Sequence, residues 1–389
     1  MSPTRPRLHE LLGFDPDALA VDDRTRSRTW AELDERVARL RACFTAVGLQ
    51  PGDHAAMVVG NRVEFVELVL AALTSGVWMT PVNWHATADE VSYVLDDAGA
   101  AVVFADPAHG AFAAVANRVP VIEVGAPLDN LIAAQTPSCL DPDARPGANM
   151  FYTSGTTGRP KGVKRGRQPT LRAQLHAHRA AGAALGLDGG GTHLVTGPLY
   201  HAAPLGFAVM DLLNGAPTML MPAFDPQSVL ELIEQHRVRN THLVPTMFVR
   251  LLGLPSEARD RFDSSSLRTV LHGAAPIAPA IKQAMIDWWG PVLVEYWGAS
   301  EGGVVTLVGS DEWLRHPGTV GRPTATHEVF AVGDDGERLP PGTNGRLWCR
   351  NTVVDSVFQY HGDPDKTARA FSGPGTYTIG DIGRIDADG

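Results

Sequence analysis

Residues 152–163 read Tyr152-Thr-Ser-Gly-Thr-Thr-Gly-Arg-Pro-Lys161-Gly-Val163, directly after an apolar pair that is typical of the end of a β-strand. Glycines adopt backbone angles closed to other residues, so peptide N–H groups can turn toward one centre. The loop offers these residues: Thr153, Ser154, Gly155, Thr156, Thr157, Gly158 and the cation Lys161. So many donors predict a polyphosphate-binding loop, and a hydroxyl-rich hairpin turn is the alternative.

The loop differs from the phosphate loop of P-loop NTPases. That motif, G-x-x-x-x-G-K-S/T, places its lysine between a glycine and a hydroxyl residue that binds magnesium. Here Lys161 follows Pro160 and precedes Gly162. The P-loop interpretation therefore fails on both sides of the lysine.

Composition limits the class of protein. The 389 residues, 44% hydrophobic and 20% charged, have an ordinary globular composition and suffice for more than one core. A formal charge of −10 argues against a nucleic-acid partner. The three cysteines are widely spaced and form no C-x-x-C pair, which favours a reducing cytoplasm. Glu64 and Glu67 interrupt the most apolar run, 63–82, so we predict a buried helix and strand there and no membrane span.

Helical and strand patterns alternate along the chain up to Val304. Capping-box spacing in Thr29-Trp-Ala-Glu32 and Thr87-Ala-Asp-Glu90 predicts two helix starts. Further periodic runs predict helices near 63–73, 171–185, 205–213, 225–236, 246–252 and 279–289, and strands near 54–59, 77–81, 101–104, 193–196, 218–221, 241–244, 267–271 and 292–296. The alternation predicts an α/β fold with mostly parallel sheets covered by helices, and short strands beyond Val304 predict a small β subdomain.

Two further stretches carry candidate site residues. Gly298-Ala-Ser300-Glu301 follows a predicted strand, at the end where α/β sheets usually bind ligands. A carboxylate facing phosphates needs a cation, so Glu301 is a candidate Mg²⁺ ligand, with a solvated loop glutamate as the alternative. The small residues Gly273-Ala274-Ala275 would let backbone approach a flat base closely, although small strand-to-helix turns are common.

Residues 152–163 closely resemble the signature loop of the adenylate-forming superfamily, which comprises acyl-CoA synthetases, adenylation domains of peptide synthetases and luciferases. Trp297-Gly298-Ala-Ser300-Glu301 resembles the family motif Tyr-Gly-x-Thr-Glu, with tryptophan and serine replacing tyrosine and threonine. The turn at 272–276 is similar to the family's adenine-binding turn. The resemblance implies an N-terminal domain of this family that uses ATP, Mg²⁺ and CoA, with Lys161 and Glu301 catalytic.

Three more residues receive roles from the resemblance. Tyr377-Thr-Ile379-Gly380-Asp381 resembles the family's Thr-Gly-Asp motif, whose carboxylate binds both ribose hydroxyls, although isoleucine replaces the threonine. His201 falls in a segment that gates the carboxylate pocket, so an uncharged imidazole that closes over the acid is expected, with a structural histidine as the alternative. Glu295 either accepts a hydrogen bond from the adenine amino group or forms a salt bridge.

The resemblance also implies a domain organisation. We expect a first α/β subdomain at 1–148, a second with the nucleotide and acyl sites at 149–303, and a small β subdomain at 304–389 that ends before the family's hinge. The family's small mobile C-terminal domain, which carries a lysine that assists adenylation, does not follow in this sequence. We therefore expect a chain that binds nucleotide and acyl-adenylate but turns over poorly.

The implied reaction joins a carboxylate to the α-phosphate of ATP and then passes the acyl group to CoA. The segments that the resemblance places around the acyl group are uncharged: 202–210, 244–248, 274–277 and 302–306. An apolar acid without an amino group is expected, and Gly302-Gly303 would leave room for a bulky fatty or polycyclic (steroid- or terpenoid-like) one. Alternatives are a non-catalytic ATP- or adenylate-binding module, a domain that loads a carrier protein, and a luciferase-like oxygenase. The sequence does not decide whether the chain forms a homodimer.

Overall fold

A computed structural model describes residues 6–109, 119–153 and 159–389 of the chain. The helices in these residues are α1 Leu8–Leu12, α2 Trp30–Ala46, α3 Val63–Ser75, α4 Ala88–Ala98, α5 Ala126–Ala133, α6 Leu171–Ala184, α7 Ala202–Asn214, α8 Pro226–Gln235, α9 Pro245–Leu252, α10 Ser256–Arg261, α11 Pro279–Trp289, α12 Ser310–Arg315 and α13 Pro364–Ala370. Their alternation with strands confirms the predicted α/β fold.

The strands are β1 Leu19–Asp22, β2 Ser27–Thr29, β3 His54–Val58, β4 Trp78–Pro81, β5 Val102–Ala105, β6 Val121–Glu123, β7 Ala148–Asn149, β8 Phe151–Thr153, β9 Lys161–Arg165, β10 His193–Val195, β11 Thr218–Leu220, β12 Asn240–Leu243, β13 Thr269–His272, β14 Leu293–Ala299, β15 Gly303–Gly309, β16 Arg322–Pro323, β17 His327–Val332, β18 Gly345–Asn351, β19 Phe358–Tyr360, β20 Phe371–Gly373, β21 Thr376–Tyr377 and β22 Ile382–Gly383. Contacts divide the chain into two compact units, the first comprising 1–162, 167–242 and 260–269 and the second 163–166, 243–259 and 270–389. The three subdomains predicted from the sequence stay a prediction.

The first unit combines sheets of mainly parallel strands with helices. One sheet has the order β6-β5-β3-β4-β7, with every neighbouring pair parallel. In the other sheet, β10 lies parallel to both β11 and β12. Strand β1 lies parallel to β11 and pairs antiparallel with β2. Parallel strands are buried on both faces, which explains why β3, β4 and β5 read as apolar runs without alternation.

Helix α3 shows how the first unit buries charge. All but one of its residues are buried, including Glu64 and Glu67, which are fully enclosed. Arg26 and Arg62 pair with Glu64 at 2.7 Å, whereas Arg28 and Arg36 pair with Glu67. These partners stabilise the two carboxylates where water cannot reach them. The run 63–82 is thus the buried helix and strand that the sequence predicts, and the described residues include no helix with the length and apolar character needed to cross a bilayer.

The second unit is mostly antiparallel. Strand β14 lies parallel to β13 but antiparallel to β15, so residues 293–309 form a hairpin. Strands β17, β18, β21 and β20 form a small antiparallel sheet, with β22 also paired to β18, and β19 pairs with β9. Apolar side chains from these strands, among them Val305, Phe358 and Tyr377, make a separate core. This sheet is the small β element expected toward the end of the chain.

Local sequence signals account for many helix ends. Thr29 and Thr87 each accept a hydrogen bond from the backbone N–H of the glutamate three residues on, as the capping boxes predict. Helix α7 begins at Ala202 rather than at the predicted Leu205. Pro204 then falls in the first helical turn, where its missing N–H leaves no hydrogen bond unmade. Strand β14 reaches Ala299, beyond the predicted end at residue 296, because β15 pairs with its last residues.

Candidate active site

The predicted phosphate loop is described at its two ends. Thr153 is the last residue of β8, and Lys161 is the first residue of β9. The residues between them with predicted phosphate contacts lie outside the described residues: Ser154, Gly155, Thr156, Thr157 and Gly158. The described ends of this segment therefore belong to two strands, β8 before it and β9 after it.

Helix α4 holds both ends of this loop. The Tyr93 hydroxyl donates to the backbone oxygen of Pro160 at 2.9 Å, and the Tyr152 hydroxyl donates to Asp97 at 2.7 Å. The Arg159 guanidinium lies 4.9 Å from the centre of the Tyr93 ring. Burial and the neighbouring Asp97 carboxylate raise the pKa of both phenols, so both stay protonated donors. No local sequence pattern predicts that Tyr93 and Tyr152 hold the ends of the loop.

His201 occupies the N-cap position of α7, next to the ring of Tyr200 at 4.4 Å. The imidazole keeps some exposed surface, yet the protein atoms around it lower its pKa and favour the neutral form. His242 lies in the same unit, fully enclosed, and burial followed by the charges of His193 and His201 lowers its pKa to about 3. A neutral His201 is the protonation state that the predicted gating role requires.

The turn after β13 lies against β14 in the second unit. A Cβ atom at Gly273 would lie 2.6 Å from the carbonyl oxygen of Tyr296 and 2.8 Å from its ring, so only glycine fits there. Ala274 adopts a φ of 63°, and both Ala274 and Ala275 are exposed. The turn therefore presents small, open residues beside β14, as its predicted contact with adenine requires.

Glu295 forms the salt bridge that the sequence left as one of two readings. Its carboxylate lies 2.7 Å from the Lys282 ammonium of α11, and both side chains are buried. Burial raises the pKa of Glu295 and lowers that of Lys282, while each charge offsets the cost of burying the other. The Lys282 ammonium also lies 4.8 Å from the centre of the Trp313 ring. A contact between Glu295 and adenine stays a prediction.

Trp297 and Asp381 meet although they are far apart in the sequence. The indole N–H of Trp297 donates to Oδ2 of Asp381 at 2.8 Å. A register shift in the β14–β15 pairing falls directly after Trp297, and such bulges redirect side chains. The predicted adenine platform and the predicted ribose acceptor are thus joined by one hydrogen bond.

Glu301 lies at the turn of the β14–β15 hairpin, after Gly298 and Ser300. Its residue is 9% exposed, and its Oε1 accepts a hydrogen bond from the Tyr360 hydroxyl at 3.0 Å. Burial and then the Glu301 charge raise the pKa of Tyr360, so the phenol remains a donor. This bond fixes one carboxylate oxygen, which is how an outer partner orients a metal ligand.

The chain's donor set can be tested against magnesium. No group of three or more His, Cys, Asp or Glu side chains suited to a metal ion occurs in the parts of the chain that the structure describes. Magnesium keeps several waters and is usually held by one or two carboxylates together with substrate phosphates. A single oriented carboxylate at Glu301 therefore fits a magnesium ion that arrives with a nucleotide.

The glycines after Glu301 accommodate protein side chains. A Cβ atom at Gly302 would collide with the Tyr377 hydroxyl, and one at Gly303 would lie 2.8 Å from Nη1 of Arg165. The room that these glycines were expected to leave for a substrate is occupied by Tyr377 and Arg165. Gly302 and Gly303 therefore do not support the prediction of a bulky acid substrate.

Comparison with known proteins decides the family. The family model described as AMP-binding enzyme matches residues 12–358. The chain belongs to the AMP-binding enzyme family. The resemblance stated from the motifs is thereby confirmed, and with it the ligase class and the use of an adenine nucleotide and CoA.

Relatives of this AMP-binding enzyme act on different acids. A feruloyl-CoA synthase from an Amycolatopsis species is 32% identical over 394 residues, which cover 97% of this chain and 75% of the relative. A methyl-dioxo-octahydroindenyl-propanoyl:CoA ligase from Mycobacterium tuberculosis is 31% identical, with 96% of this chain and 75% of the relative covered. The inhibitor-bound crystal structure of the N-terminal domain of FACL13 from M. tuberculosis has a TM-score of 0.85 at 27% identity, over 98% of this chain and 96% of that one.

Sequence reasoning missed several residues around the site of this AMP-binding enzyme. Tyr360 reaches Glu301 because β19 pairs with β9, which places Tyr360 opposite Val163. Lys282 meets Glu295 only because α11 packs near β14. The sequence shows only that these polar residues lie in otherwise apolar elements. It does not indicate which residue each of them would contact.

Proposed function

We propose that the chain activates an apolar carboxylic acid with ATP to an acyl-adenylate and transfers the acyl group to CoA. The observation that carries this proposal is the hydrogen bond between Trp297 and Asp381, because it unites an aromatic face and a carboxylate on one surface. An aromatic face suits a base, and a carboxylate accepts hydrogen bonds from two hydroxyls. Those are the recognition needs of an adenine nucleoside.

In the first step, a carboxylate oxygen of the acid attacks the α-phosphorus of ATP. A phosphorus–oxygen bond to the acid forms, the bond to pyrophosphate breaks, and a mixed anhydride remains. Glu301 would hold a magnesium ion, which neutralises phosphate charge when bound. Lys161 and the loop donors would bind the phosphates, and the tyrosine anchors Tyr93 and Tyr152 keep the described loop ends fixed.

In the second step, the CoA thiol attacks the acyl carbon and AMP leaves. We assign His201 the role of covering the acid during the first step and moving aside for the thiol. Its lowered pKa supports this role, because a neutral imidazole adds no charge beside an apolar acyl group and needs little energy to move. A charged imidazole would instead hold the carboxylate by attraction.

The acid is proposed to be apolar and without an amino group, of the fatty or polycyclic type. The supporting observation is that 202–210 and 274–277 carry no charged side chain. The names of relatives agree in part, since ferulate is an aromatic acid and the octahydroindenyl propanoyl group is a fused-ring acid. These names span different acid classes, so the proposal concerns polarity rather than one compound.

The proposal is tested by pyrophosphate release over a panel of fatty, aromatic, fused-ring and amino acids. We expect release with apolar acids, and Glu301→Gln should lower that release at least about 100-fold, since electrostatic stabilisation of phosphate charge is a large part of the rate. Glu337→Gln, which removes an exposed carboxylate of the same unit, should leave it unchanged.

Two results would contradict the proposal. A clear preference for amino acids would exclude an apolar, amine-free substrate. Full pyrophosphate release by the Glu301→Gln variant over a range of Mg²⁺ concentrations would show that Glu301 does not hold the metal.

A further inference from the structure

Arg165 is a cation that forms no ion pair with any residue the structure describes. It is the last residue of β9 and lies opposite Phe358 of β19. Within the described residues its guanidinium takes part in no hydrogen bond or ion pair. Its charge acts on Tyr377 and His327. Burial raises the pKa of Tyr377, so the phenol stays neutral, and burial lowers the pKa of His327, so the imidazole stays neutral as well. The described residues therefore pair no negative group with this arginine.

The position is crowded but open. Surrounding protein atoms lower the pKa of Arg165, so its charge has lost part of its hydration. A Cβ atom at residue 303 would lie 2.8 Å from Nη1, so the guanidinium lies close against the backbone of Gly303. Arg165 nevertheless keeps exposed surface. A ligand can thus reach a charge with no paired carboxylate among the described residues.

The neighbouring polar side chains already have partners. Nδ1 of His327 bonds Thr324 at 2.9 Å. Glu301, whose charge also acts on Tyr377, accepts from the Tyr360 hydroxyl at 3.0 Å rather than from Arg165. An unpaired charge that has been partly desolvated costs free energy, and an anion from outside the chain would offset that cost.

We propose that the Arg165 guanidinium binds a phosphate group of a ligand. A guanidinium presents a planar fork of N–H donors that matches two phosphate oxygens at once. This inference rests on the proposed function, which supplies two ligands with phosphate groups, ATP and CoA. A phosphate on either one satisfies the same chemistry.

The test compares Arg165→Gln and Arg165→Lys with the wild-type chain by isothermal titration calorimetry. The probes are AMP, ATP, CoA and 3′-dephospho-CoA. We expect Arg165→Gln to weaken ATP or CoA about tenfold, since a charged hydrogen bond contributes about that factor, and to leave AMP within about twofold. Arg165→Lys keeps the charge but loses the fork, so its loss should be intermediate. Arg350→Gln, an equal charge change at an exposed position of the same unit, should change none of the affinities.

The probes identify the source of the phosphate. A loss for ATP alone assigns the β- and γ-phosphates, and a loss for CoA but not for 3′-dephospho-CoA assigns the 3′-phosphate. A loss for both CoA forms assigns the diphosphate. Each of these results supports the inference.

Other results overturn it. The phosphate role is excluded if the Arg165→Gln variant binds ATP and CoA with wild-type affinity. It is also excluded if the variant loses affinity only for the acid substrate. An equal loss for AMP shows that Arg165 supports the nucleotide site as a whole. Wild-type chain that fails to bind AMP contradicts the proposed function itself, which separates that failure from a failure at Arg165.

Discussion

At the scale of the residue, Trp297 stands where the family motif has tyrosine, and its indole offers an N–H donor in place of the phenol hydroxyl. That N–H donates to Asp381, whose carboxylate is proposed to bind ribose. The bond leaves the second carboxylate oxygen and the remaining lone pairs available for a ligand. The replacement therefore keeps the aromatic face and also orients the acceptor beside it.

Trp297→Phe is predicted to weaken AMP binding about fivefold to tenfold, because a hydrogen bond to a charged group is lost while an aromatic ring remains. Calorimetric titration with AMP measures the change. Asp381→Asn alone and the double variant complete a thermodynamic cycle.

The cycle distinguishes orientation from stacking. If Trp297 orients Asp381, the double variant should lose less than the sum of the two single losses. Strictly additive losses would mean that Trp297 contributes through its ring alone.

At the scale of the element, the start of helix α3 is capped from a distant turn. Residue Arg62 at the N-cap makes no side-chain capping bond. Instead, Oδ2 of Asp23 accepts a hydrogen bond from the backbone N–H of Val63 at 2.9 Å, while Oδ1 accepts from Thr25 and from the N–H of Arg26. Asp23 thereby joins the β1–β2 turn to the first residue of α3.

This carboxylate predicts a pH-dependent contribution to stability. Burial alone would raise the pKa of Asp23, but the hydrogen bonds from Thr25, Val63 and Arg26 outweigh it and lower the pKa below its ordinary value. A lowered pKa means that the stabilisation is fully present above the unfolded value of about 3.9 and is lost as the pH falls through the folded value.

Asp23→Asn should therefore lower the free energy of unfolding by about 1–2 kcal/mol at pH 7, and its difference from the wild type should shrink below about pH 4. Urea denaturation at several pH values measures both effects. Asp17→Asn, at an exposed position in the same unit, is the control and should cost little. A difference that stays constant down to the lowest pH at which both proteins fold would contradict the assignment.

At the scale of the whole molecule, buried ion pairs join different secondary-structure elements. Lys282 has no exposed surface, and its partner Glu295 is 5% exposed. Removing one member would strand the other charge away from water, which is far more costly than removing both. The pair therefore holds α11 against β14, because separating the two charges would leave each of them buried without a partner.

Lys282→Met is predicted to lower the free energy of unfolding by about 3–5 kcal/mol, and Lys282→Met combined with Glu295→Met should recover much of that loss. Arg338→Met breaks an exposed pair with Glu328 and should cost less than about 1 kcal/mol. Chemical denaturation of the four proteins gives the comparison. A double variant no more stable than Lys282→Met would show that the charge pair is not the cause.

Much of this molecule could be predicted from local patterns. The capping boxes at Thr29 and Thr87 predicted helix starts correctly, because a cap and its target N–H are three residues apart. The apolar run with Glu64 and Glu67 correctly predicted a buried helix, although its arginine partners could not be named. The end of β14 was placed too early, since the pairing with β15 extends it.

By itself, the sequence determined the α/β class and the family, because periodicity and motifs are written within a few neighbouring positions; the residues of the nucleotide site stay a prediction. Only the tertiary structure decided which side chains meet: Trp297 with Asp381, Tyr360 with Glu301, and Arg165 with Gly303. The physical reason is that such pairs depend on strand register and on close packing between segments far apart in the chain. No local pattern specifies those distances.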